Sequence, residues 1–128
     1  MKEFMLLIRN EKNSKEGFSA EKQQEFVTER MVYIGKLMDE KKLLSAQPLI
    51  REGKLISNPG GTWKDVPFNE SKEVIVGYYH ILAKDMDEAI EIAKGNPEFA
   101  NTPNARIEVR PIKTREESIS YDYPNINK

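Results

Sequence analysis

Two stretches of this chain, Phe4–Ile8 and Val74–Ala83, are strand-like and apolar on both faces that a strand presents. Side chains alternate across a strand, so such runs need cover above and below the sheet. The rest of the sequence supplies two helical patterns, enough for one face of a sheet. The other face calls for a second sheet, and a second copy of the chain about a two-fold axis is its simplest source. The pattern alone therefore predicts a homodimer.

The punctuation between these runs sets the element order. Ser19 is placed as a helix N-cap with Glu21 in the first turn, and the spacing predicts a helix over about residues 20–41. Val27, Met31, Ile34 and Met38, flanked by Phe26, Tyr33 and Leu37, form the stripe expected to face the core. Leu43–Ile50 reads as a strand in which Pro48 marks an edge or a bulge. Arg51-Glu52-Gly53 turns the chain, Lys54–Ser57 returns as a short arm, and Asn58-Pro59-Gly60-Gly61-Thr62 turns it again. Trp63–Phe68 is then a short strand or an ordered loop.

Asp85 with Glu88 is a capping box in its Asp variant. Met86, Ala89, Ile90 and Ala93 follow as a stripe, Gly95 caps the end and Pro97 blocks continuation. Ala105–Ile112 closes the sheet, alternating Ile107 and Val109 with charged residues. The expectation is an α+β fold with an antiparallel sheet and both helices, Ser19–Lys41 and Asp85–Lys94, on one face. Residues 1–112 form a single domain, and 113–128 are a polar tail or arm carrying Tyr121 and Tyr123.

A chain of 128 residues is one domain by size. Its 20 basic and 21 acidic residues nearly cancel. No field favours nucleic acid or an anionic membrane, and no basic run is interleaved with aromatics. There is no cysteine, which removes disulfides, thiolate metal sites and thiol nucleophiles together. The apolar run before Arg9 is too short for a signal-peptide core or a membrane span. A soluble cytoplasmic protein without a cofactor is the expectation.

His80 is the only histidine, so no His-based metal site forms within one subunit. It is read on one face of the central strand with Val74, Val76, Tyr78 and Leu82, as a weak general-base candidate or a hydrogen-bonded bystander. Arg9, Glu108 and Arg110 converge at strand ends, either on a bound anion or, on balance, in a structural salt bridge. Asp65, Glu70 and Lys72 fix a loop, with Asp65 also a binding candidate. Trp63 and Tyr79 wall a pocket or pack, and Tyr78 joins His80 as a ligand-binding candidate. Gly60-Gly61 lacks the residues of a phosphate loop, and no Ser-centred nucleophile elbow occurs. A site is expected between the helix-free face and the 65–72 loop, reached past Trp63.

The opening Phe4-Met5-Leu6-Leu7-Ile8-Arg9, the run Asp65-Val66-Pro67-Phe68 with Glu70 and Lys72, Val76-Gly77-Tyr78, Asp87-Glu88-Ala89 and Glu108-Val109-Arg110-Pro111 occur in one order. Together they resemble the YCII-related family in its Asp-Gly-Pro-Phe (DGPF) branch, from Phe4 to Ile112. The resemblance implies a ferredoxin-like split βαβ domain that pairs into a dimeric α+β barrel. Val66 and Val76 stand where the branch has glycine, and a β-branched residue resists φ > 0. The related proteins carry a suspected catalytic pair, a His on the first helix and an Asp near the end of the second. This chain has Arg30, Met31 and Tyr33 around the first place and Asn96 at the second. Two functions stay open. One is a barrel pocket for a small aromatic or carboxylate molecule, with an enzymatic role unproven. The other is a non-catalytic dimeric regulatory or protein-interaction module, associated with bacterial sigma factors by resemblance.

Overall fold

A computed structural model describes residues 1–125. The chain runs β1 (Lys2–Glu11), α1 (Ala20–Asp39), β2 (Leu43–Pro48), β3 (Lys54–Ser57), β4 (Lys64–Pro67), β5 (Glu73–Ala83), α2 (Met86–Lys94), α3 (Glu98–Asn101), β6 (Arg106–Pro111), β7 (Arg115–Glu116) and β8 (Tyr121–Asp122). Four strands form the main sheet in the order β2-β5-β1-β6, with every neighbouring pair antiparallel. The fold is α+β. Pro48 ends an edge strand, where its missing N–H costs no ladder bond.

The helix ends follow the capping signals. The Ser19 side chain accepts from the Lys22 N–H, the Asp85 side chain accepts from the Glu88 N–H, and Gly95 caps α2. α2 ends at Lys94, before Pro97, as expected. What the sequence did not show is that Pro97 is then the N-cap of a further short helix, α3, a position where a missing N–H costs no intrahelical bond.

Both helices pack on one face of the sheet, since Leu37, Tyr33 and Ile34 of α1 share a core with Ala89 and Ala93 of α2 and with Phe4, Leu6 and Ile8 of β1. The expected stripe on α1 is corrected. Phe26 and Leu37 are buried, whereas Val27, Met31 and Met38 are exposed. The large ring of Phe26 and the half-buried Tyr33 set the rotation of the helix, and the methionines turn outward.

A second correction concerns β5. The register with β1 slips by one residue between Ile8 and Arg9, opposite Gly77 and Ile75. A one-residue bulge reverses facing, because the side-chain period is two. Val74 and Val76 therefore lie under the helices with Tyr79, Ile81 and Ala83. His80 shares the opposite face with Ile75, Tyr78 and Leu82, not with Val74 and Val76. Gly77 sits at the slip, where an added Cβ would lie 3.0 Å from the Gln47 carbonyl oxygen and 3.2 Å from Pro48 Cα.

Outside the main sheet, β3 and β4 pair into a separate hairpin arm that is exposed along both strands. Val66 lies in β4 opposite Leu55, in extended rather than left-handed backbone. In the tail, β7 and β8 form a small hairpin, and Asn125 donates to the Glu3 carboxylate at the start of β1.

Two glycines are expected to respond to alanine with opposite sign. Gly77→Ala forces the β2 backbone aside and costs about 1–3 kcal/mol in overpacking. Gly35, inside α1 with open space around its would-be Cβ, gains about 0.5–1 kcal/mol on becoming alanine. Urea denaturation of the two variants beside the parent checks both signs.

Candidate functional site

Polar groups come together on both faces of the sheet. On the helix-free face an open recess is lined by Met5, Leu7, Ser45, Ile75, Tyr78 and His80. His80 Nε2 lies 2.8 Å from Glu3 Oε1, and both side chains are largely buried. The structure thus brings His80 and Tyr78 together on this face and supplies Glu3, a partner that sequence reading missed.

Arg9, Glu108 and Arg110 also meet, along the β1–β6 edge. Arg9 Nε donates to Glu108 at 2.9 Å and Arg110 donates to the same carboxylate at 3.0 Å. These bonds hold the Glu108 pKa below the ordinary carboxylate value, Arg110 contributing most. Glu73 continues the chain, paired with Arg106 through two bonds of 2.7 Å. The guanidinium groups are thus engaged by carboxylates, as in a structural network.

Trp63 and Asp65 stand apart. Both belong to the exposed hairpin arm, Trp63 is 72% exposed, and neither lines the recess around His80. The arm carries them away because β4 pairs with β3 and not with the main sheet.

On the helix face, between α1 and the bulged end of the sheet, lies a small cavity of about 30 Å³. Its polar lining is Lys15, Arg30, Gln47, Tyr79, Asn96 and Glu98. Arg30 and Asn96, close to where the family resemblance puts the His/Asp pair, thus face one space. The corner that holds Asn96 and Glu98 is fixed from β1. Buried Asn10 donates to Glu98 Oε2 and to Thr102 Oγ1, each at 2.8 Å, while Thr102 donates to the Glu98 carbonyl. Asn96 Oδ1 accepts from the Glu98 N–H at 2.8 Å. Asn101 ties α3 to α1 by accepting from Lys22 and donating to Glu29.

Burial costs here are only partly offset. Asn96 Nδ2 is buried beside the Tyr79 hydroxyl without a completed hydrogen bond among the described residues. Desolvation lowers the Lys15 pKa, against the pull of Glu98 and with the push of Arg30 and Arg51. Desolvation also raises the pKa values of Tyr79 and of its edge-on neighbour Tyr33, whose hydroxyl donates to the Ile92 carbonyl at 2.6 Å. Lys15, Asn10, Glu98 and Thr102 escaped the sequence reading because they lie in or beside polar segments that look solvated. Asn96 was legible only through the resemblance.

Among the described residues no three His, Asp or Glu side chains cluster as a metal site. No helix is long and apolar enough to cross a membrane. The family model for the YCII-related domain matches residues 2–114. No curated protein matches the chain.

The raised tyrosine pKa values set the direction of alkaline destabilisation. Below the ordinary value of 10.0 both residues are neutral in the folded and unfolded chains, and their contribution is fully present. As pH rises further the unfolded chain ionises first, so stability falls until the folded groups titrate as well. The midpoint of thermal unfolding is expected to drop above that pH, and Tyr79→Phe or Tyr33→Phe to flatten the drop. Melting curves between pH 8 and roughly 11, spanning the ordinary tyrosine range, test this.

Proposed function

This chain belongs to the YCII-related family, and on that premise we propose that it is a small-molecule-binding domain whose ligand, a carboxylate or aromatic compound, occupies the helix-face cavity. The observation that carries the reading is the buried, unpartnered Asn96 Nδ2 beside Lys15 and Arg30. A buried donor without a partner costs about 1–3 kcal/mol, and a ligand acceptor recovers it. The reading is one of binding rather than turnover, because Arg30 and Asn96 stand at the places of the family's His/Asp pair and do not reproduce its acid–base chemistry. The DGPF branch is its proposed place within the family.

The fold reading that goes with it is a ferredoxin-like domain paired through its helix-free face into a dimeric α+β barrel. The strand order β2-β5-β1-β6 and the half-buried Met5, Leu7, Ile75 and Tyr78 on that face support it. In such a pair His80, Glu3, Arg9, Glu108 and Arg110 face the barrel interior. One observation favours the alternative, a regulatory or protein-interaction module: the β3–β4 arm exposes Leu55, Ile56 and Trp63 together.

Sedimentation velocity at micromolar concentration is expected to give a dimer, and Leu7→Glu a monomer. A thermal-shift screen of aromatic acids and metabolites is expected to raise the unfolding midpoint, a ligand at 100 times its Kd adding about 2.7 kcal/mol. A stable parent monomer removes the barrel. A dimer that no compound stabilises favours the interaction module.

A further inference from the structure

The helix-face cavity has a surplus of donors that defines the charge of its occupant. Lys15 Nζ and the Arg30 guanidinium sit 4.9 Å and 4.8 Å from the ring centre of Phe26. Phe26 is fully buried and does not itself line the cavity, so both cations that do are anchored to one aromatic side chain behind it. Among the described residues neither has a carboxylate within ion-pair distance. Asn96, 5% exposed, adds an Nδ2 group beside the Tyr79 hydroxyl that completes no hydrogen bond among the described residues. Against these donors stands one carboxylate, Glu98, and Asn10 already engages one of its oxygens. Two formal positive charges against one negative leave the lining at plus one.

We propose that this cavity takes the carboxylate head of a small monoanionic acid and discriminates against dianions. The inference rests on the reading of the cavity as the ligand site and names its ligand class. A carboxylate offers two coplanar oxygens that match the fork of the Arg30 guanidinium, and their remaining lone pairs are open to Lys15 and Asn96 Nδ2. Its single charge cancels the surplus. A phosphate dianion would bring a second charge to a space that already holds Glu98, and like charges in a partly buried site repel strongly. At about 30 Å³ the cavity has room for little more than the carboxylate itself, so the rest of the acid lies outside it. An incoming anion also relieves the crowding of cations around Lys15, which Arg30 and Arg51 both oppose.

The test is titration calorimetry on the full chain with benzoate, benzamide and inorganic phosphate, alongside NMR of the Asn96 side-chain amide. Benzoate is expected to bind saturably and shift that amide, with benzamide and phosphate at least tenfold weaker. Arg30→Gln and Asn96→Asp should each weaken benzoate at least tenfold and weaken benzamide, which lacks the charge, several-fold less. A merely structural role would move both ligands together. Asp at position 96 keeps the oxygen that accepts from Glu98, and Arg30→Gln lies on a helix face that tolerates glutamine, so one variant stands if the other misfolds. Benzamide binding as tightly as benzoate would overturn the charge selection while leaving the cavity as a ligand site. Phosphate binding more tightly than benzoate would overturn the monoanion class. No binding of any of the three, with the Asn96 amide unmoved, would overturn both the ligand class and the site.

Discussion

The one-residue slip between β1 and β5 decides what each face of the sheet presents. Without it, the long central strand would turn Tyr79, Ile81 and Ala83 away from the helices along its second half. With it, β5 feeds the helix-side core along its whole length, and Tyr78, His80 and Leu82 are released to the other side. At the slip β2 approaches closely, and Gly77 is the residue that leaves room for the Gln47 and Pro48 backbone. Core composition, the recess around His80 and the wall of the cavity all follow from this change of register.

The cavity depends on a second constraint, the corner between α2 and β6. Here the chain does not pass straight from helix to strand but inserts α3, whose Glu98 is buried. A buried carboxylate is tolerable only when its acceptor sites are met, and Asn10 reaches from β1 to do so. That bond fixes the corner to the sheet and orients Asn96, whose amide donor is left buried at the cavity beside the Tyr79 hydroxyl. Polar satisfaction at one atom and its absence at the next are what separate scaffold from site.

Much of this was legible beforehand. The α2 boundaries were readable because Asp85, Glu88 and Gly95 act locally, through bonds that need no tertiary partner. The antiparallel α+β order was readable because the period-two and helical patterns are distinct. The face of α1 was misjudged because Val27, Met31 and Met38 keep helical spacing as well as Phe26 and Leu37 do, and only packing against a curved sheet selects between the stripes. The facing of His80 was misjudged because a run apolar on both sides hides a bulge. Lys15 and Glu98 were invisible as site residues for a different reason. A charged residue in a loop is normally solvated, and nothing local shows that Phe26 or Asn10 waits beside it.

The strand order has a kinetic side. β1 is the first element of the chain, yet its two sheet neighbours, β5 and β6, come from the latter half. During synthesis the apolar β1 therefore waits with both hydrogen-bonding edges unmatched while α1 and the hairpin arm emerge. Pairings between distant segments close large loops and slow folding, and unpaired apolar edges are where nascent chains associate wrongly. Asn10 and the charges at Lys2, Glu3, Arg9 and Glu11 flank the apolar stretch of β1. They act as gatekeepers that keep it soluble until β5 arrives.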